Sequence, residues 1–286
     1  MSPDVCSVIL RSASLVALFQ AAGMALFVAL IGRPLDASLA GIQRIGRLSA
    51  IAAAALLLGH YALEAARMAD DMSGIVDSSM QAMVMNSASS TVLTVRILAL
   101  IIIAITMGRR DDIGRAGSAL GAALVATSFI LTGHTLVNPL RLALAPLLLI
   151  HVTIVRFWFG ALVPLNLAAS RETPAVTGEV IETFSRIAGR LVPAILAAGL
   201  FMALVLVRHF EDLSRAYGEL LIFKIGGFAV LMAIASLNKW RLGPAIASGK
   251  AESLRSFRRA LRAEYLLISA VLGATAAMTT FYSPEP

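Results

Sequence analysis

A chain of 286 residues, 58% of them hydrophobic and 14% charged, with a mean hydropathy of +0.84, lies far outside the range of soluble globular proteins. Its net charge of +7 sits in short segments between apolar runs, so it reads as a membrane orientation signal and excludes the need for a nucleic-acid partner. The single cysteine, Cys6, excludes an intramolecular disulfide and any CxxC motif.

A helical span takes about 20 apolar residues. Eight such runs follow one another: 8–32, 45–66, 91–108, 117–136, 142–165, 186–207, 218–238 and 263–282. The alternating pattern of an outer-membrane barrel is missing, so the expected fold class is all-α, a polytopic membrane protein with one transmembrane domain over 1–286. The first run carries Asp4 in place of a basic leader and is long for a signal sequence, so it reads as a retained helix. Most of the chain's 24 basic residues fall after runs one, three, five and seven, at Arg33, Arg44 and Arg47, at Arg109, Arg110 and Arg115, and densest at 239–262. Those loops are predicted to be cytoplasmic and both termini to lie outside, on the periplasmic side.

Taken in order, the unusual residues begin with His60 near the outer end of the second run, with Glu64 one turn on, placed to orient the imidazole. The segment MADDMSGIVDSSMQAMVMNSASS at 68–90 holds five of the chain's eleven methionines, and Met80, Met83 and Met85 are close enough to present thioethers to one point. His134 ends the fourth run. His151 lies about ten residues into the fifth, near the midplane at about 1.5 Å per residue. His209, in the acidic loop after run six, reads as solvated, and Lys224 as reaching outward to water.

Soft thioether and imidazole donors suit Cu(I), whereas magnesium or calcium would want clustered oxygens, and Cys6 would add a further soft donor. Methionine also fills apolar gaps, and a lone membrane histidine also serves as a helix-to-helix hydrogen bond. Three histidines at similar depth beside a methionine cluster favour a site, because ionisable groups inside membranes are rare.

The ordered series TGH (132–134), HVTIVRFWFGAL (151–162), FSRIA (184–188), YGELLIFKIGGF (217–228), NKWRLGP (238–244) and SFRRALRAEY (256–265) resembles the copper resistance D family of bacterial inner-membrane proteins, most strongly over 130–282. The resemblance implies an eight-helix, multi-pass protein of the bacterial inner membrane that is no enzyme and moves copper between periplasm and cytoplasm. Its partners would be the lipid bilayer, the copper ion and a periplasmic copper chaperone. The family's histidines fall on His134 and His151, and Trp158 and Gly160 complete the second pattern. Ala161 replaces a second glycine, and Arg156 stands where a small apolar residue is more usual. From the inner part of its span, Arg156 would either reach the cytoplasm or repel a cation. The metal set is thus His60, His134, His151, Met80, Met83 and Met85.

Two other readings stay open. Paired histidines on adjacent helices also hold a b-type haem, although His134 and His151 would stand on the order of 10 Å out of level across the turn at 138–139. A copper-handling assembly factor that transports nothing is the third. No nucleotide-binding motif is present, which argues against ATP-driven pumping, and neither an inner-half ligand set nor the oligomeric state is legible.

Overall fold

The computed structural model describes residues 2–132, 139–206, 216–247 and 251–281, and all regular structure among them is helical. In chain order the helices are α1 (Pro3–Ile31), α2 (Leu39–Met68), α3 (Ser78–Met85), α4 (Ala88–Thr106), α5 (Asp112–Thr127), α6 (Arg141–Arg171), α7 (Pro174–Leu206), α8 (Ala216–Leu237), α9 (Gly243–Ala247) and α10 (Ala251–Phe281). Eight helical stretches among the described residues are long and apolar enough to cross a membrane, as the hydropathy pattern predicts; the fourth extends α5 through a 3₁₀ turn to Leu131, and the seventh runs from α8 into α9, to Ile246. A π-helical turn, Asn238–Leu242, joins α8 to α9.

Several helices outrun the apolar segments that announce them. α7 begins at Pro174 and α10 at Ala251, each well before the runs at 186 and 263. Hydropathy marks where a chain meets lipid, whereas backbone hydrogen bonding continues into water wherever one face stays covered. In α10 the arginine-rich first turns keep Phe257 and Leu261 buried, so the helix persists. The methionine segment is likewise folded, into a 3₁₀ turn at Met72–Ile75 and then α3, which lies against α2 and α4. Asp77 caps α3 by accepting from Ser79 N (2.8 Å) and Met80 N (3.2 Å).

α1 is the axis of the bundle. It packs against α2, α5, α6 and α10, and 67% of its apolar window is buried, against 6% for the seventh span. Midway along it lies a stretch of small buried residues, Ala21, Ala22, Gly23 and Ala25, which lets neighbouring backbones come close. A Cβ on Gly23 would lie 1.9 Å from the Arg156 carbonyl oxygen, and one on Gly160 would lie 2.2 Å from the Gly23 carbonyl carbon. The glycine of the Trp-x-Gly pattern is therefore the place where α6 touches the axis, and Gln20 Nε2 donates to Gly160 O across it (3.5 Å).

The loops are tied by carboxylates. Glu172, between α6 and α7, accepts from Asp36 N (3.1 Å), Ser38 N (2.8 Å) and the Ser38 hydroxyl (2.6 Å), fixing the α1–α2 loop. Burial pushes its carboxyl up, but these donors outweigh it and hold the group below the usual range. Asp111 caps α5 through Gly114 N (2.9 Å) and binds Arg109 (2.6 Å); with the Arg109 hydrogen bond as the main cause, its carboxyl is drawn down to about 2.

Candidate functional site

His60 points from α2 to α1, where its Nε2 lies 3.3 Å from the Ser7 hydroxyl. Arg11, Arg67 and Arg96 all act on it electrostatically. Arg67 is neutralised by Asp4 at 2.7 Å, and Arg96 donates to Ser128 (3.0 Å) while lying 4.5 Å over the Phe129 ring. Glu64 hydrogen-bonds Ser89, so its carboxylate does not hold the His60 ring as the spacing had suggested. A copper ion at His60 would meet three guanidinium groups.

On α3 the three methionines do not converge. Met80 and Met83, three residues apart, share a side, but Met85 is rotated well away from both and is 66% exposed. Met83 instead joins Met68 and Glu64 in lining a cleft of about 520 Å³ between α2, α3 and the start of α4. Two thioethers and a carboxylate thus face one space, together with Arg67, which is paired with Asp4. Met68 belongs to the same methionine-rich segment, but only the fold shows that it is the partner of Met83.

His151 lies on the face of α6 that meets α7, with its ring against Gly199, where a Cβ would stand 3.8 Å from Cε1 and 3.9 Å from Nδ1. Its Nδ1 is shut off from solvent and has no hydrogen-bond partner among the described residues. Lys224 of α8, half-buried, is its electrostatic neighbour. His134 and His209 lie outside the described residues, and so does the suggested pairing of His134 with His151. His60 and His151 face different helices, and among the described residues no group of three His, Cys, Asp or Glu could hold a metal ion.

Arg156 corrects an expectation. It does not reach the cytoplasm: it is fully buried and turned towards α5, where Nη1 donates to Ala122 O (2.7 Å), Nε to Val152 O (3.1 Å) and Nη2 to the Thr153 hydroxyl (3.3 Å). Carbonyl acceptors inside the bundle replace water as its partners. Five residues on from His151, it stands about 140° round the helix, so its charge does not face the histidine.

Sequence reasoning missed Glu264. Its carboxylate, 2% exposed, accepts from Trp158 Nε1 (3.0 Å) and Asn238 Nδ2 (2.6 Å). Phe184 packs edge-on to Trp158 at 6.0 Å, and Tyr265 stacks on Phe159 at 4.6 Å. The strings at 151–162, 184–188, 238–244 and 256–265 therefore meet in one place. Their shared order was a signal of this contact, but a lone glutamate in an arginine-rich string looks like an ordinary surface charge.

Two family models match the chain: Copper resistance protein D over residues 178–278, and the Copper resistance protein D-like N-terminal domain over residues 1–139. The chain belongs to the copper resistance D family. It is a multi-pass copper resistance membrane protein, and the family matches cover the methionine segment, Asn238 and Glu264, while His151, Arg156 and Trp158 lie between them. No curated protein and no solved structure matches it.

Proposed function

We propose that this copper resistance D protein carries copper, as Cu(I), between periplasm and cytoplasm across the bacterial inner membrane, and catalyses no reaction. The observation that supports this most directly is the His151 Nδ1, buried and with no hydrogen-bond partner among the described residues. In the tautomer protonated on Nε2 that nitrogen offers its lone pair to a soft metal ion. Lys224 nearby disfavours positive charge, which favours a monovalent ion over a divalent one.

Copper delivered by a periplasmic chaperone would be taken up at the cleft of Met68 and Met83, with Met80 on the same side of α3 and Met85 as an exposed first contact. It would pass to His151, with His134 assigned beside it by the family resemblance. His60, held by Ser7 and flanked by arginines, would steer the ion away from α1 more than bind it. Glu64 lines the cleft opposite in charge to Arg67, whose guanidinium is paired with Asp4.

Metal analysis and an absorption spectrum of the purified protein test this reading. Copper at one or two equivalents without a Soret band is the expected result; iron with a Soret band would replace copper by haem. His151→Ala should lose the internal copper at every concentration, and a copper content equal to that of the unaltered protein would remove His151 from the path.

A further inference from the structure

The carboxyl group of Glu264 has no use in the copper path as described. It sits in the half of the bundle that carries the basic loops, held by an indole and an amide, both neutral. No ion pair reaches it among the described residues. The cations on the helices around it are engaged elsewhere: Arg11 of α1 donates to Thr279 O near the far end of α10, Arg156 is turned to α5, Lys224 lies by His151 and Lys239 approaches Gly189. Arg241 of the π turn is exposed. On α10 itself Arg258 donates to Asn166 Oδ1 (3.3 Å) and Tyr265 stacks on Phe159.

A buried carboxylate without a cation is costly, and binding a proton is the simplest relief. The neighbouring amide is already shaped for that state. A carboxylic acid and an amide pair through two hydrogen bonds, N–H to one oxygen and O–H to the amide oxygen. Asn238 supplies the first through Nδ2, while its Oδ1 is buried with no partner among the described residues. That oxygen needs a donor, which an ionised carboxylate lacks and a protonated one has. Asn238 also opens a π-helical turn, a local departure from the α-helix that frequently accompanies function.

Position connects this group to the copper path. Trp158 follows His151 by seven residues, two turns and about 10 Å along the same face of α6. Glu264 and the Asn238 amide offer hard oxygens, which suit a proton and not Cu(I). We propose that Glu264 is a proton-exchange site: its carboxylate takes one proton from water at the basic end of the bundle and later returns it, and copper movement past His151 is coupled to that exchange. No electrons move: the carboxyl O–H forms as an O–H of hydronium breaks, leaving water, and on release the proton passes back to water as hydronium. The coupling rests on the copper reading above; the proton site stands by itself.

The experiment uses the full chain reconstituted in vesicles containing a pH dye, with copper and lumen pH followed together. In the unaltered protein copper movement should be accompanied by a change in lumen pH and should vary at least tenfold with an imposed proton gradient. Glu264→Gln, which keeps size and one acceptor oxygen and carries an N–H where the protonated acid carries its O–H, should bind copper normally, lose the pH change and move copper at a rate indifferent to the gradient. Copper movement without a pH change in the unaltered protein, or a pH change that survives in Glu264→Gln, would overturn the proposal. Infrared difference spectra of the detergent-purified protein give a readout that needs no copper. A protonated-carboxyl carbonyl band that changes between acid and neutral pH, shifts in Glu264→Asp and is lost in Glu264→Gln supports the site; its absence from the unaltered protein sinks it. Failure of copper to bind the purified protein would show in the metal analysis and defeat the coupling while the infrared band still decides the proton site.

Discussion

Close contact between two glycines makes the sharpest demand of any single residue here. A methyl on Gly160 would overlap the Gly23 backbone, and helix backbones cannot yield as a flexible side chain can. Gly160→Ala should therefore destabilise the protein by about 1–3 kcal/mol. Gly178, on the extramembrane start of α7, has nothing within 4 Å of its would-be Cβ, so Gly178→Ala should be neutral or stabilise slightly. Thermal unfolding in detergent compares the two, and equal stability would mean that α1 and α6 do not meet at Gly160. The Trp-x-Gly pattern was legible as a pattern, but its meaning needed the partners: glycine for α1, indole for Glu264. Arg156 and Glu264 were misjudged or missed for one reason. A charge on a membrane helix gives no sign in the sequence of whether it faces water or an acceptor on another helix.

At the scale of elements, caps and clips outside the membrane carry the testable electrostatics. The Asp111 carboxyl, drawn down to about 2, favours the fold when ionised, so its contribution is present above the unfolded value of about 4 and is lost as pH falls through about 2. Amide exchange at the start of α5 should stay slow from neutral pH to about 4 once intrinsic rates are corrected, then quicken in stronger acid; Asp111→Ala should show the quick exchange throughout. Glu172→Ala should release the α1–α2 loop, seen as faster proteolysis near Arg33 with the spans still protected. Unchanged cleavage would deny the clip. In the methionine segment, Met68→Leu with Met83→Leu should weaken copper capture at low supply and spare it at high supply, while Met85→Leu should do little. The sequence showed soft donors in this segment but not their grouping. Turning the loop into α3 sends Met85 away from Met83 and brings in Met68 from the end of α2, a pairing set by helix phase.

For the whole molecule, eight spans were readable because lipid requires long apolar helices, and the number of spans fixes both termini to one side. With Cys6 replaced by serine, a reporter at Ser283→Cys should react with an impermeant thiol reagent in intact spheroplasts and one at Ser253→Cys should not; the reverse pattern would invert the protein. What composition gave no hint of is that the first helix is the axis, covered by helices from both matched segments. That arrangement has a consequence in time. α1 leaves the ribosome ahead of the helices that cover it, yet the backbone it must touch, at Gly160, is synthesised well over a hundred residues later, and Arg11 finds Thr279 only 268 residues on. At about 5–20 residues per second α1 waits for seconds with its small residues and Gln20 incompletely covered in the bilayer. The interval between insertion and closure is when this protein is most open to degradation, and slowing translation after α5 should lower its yield more than slowing it after α8.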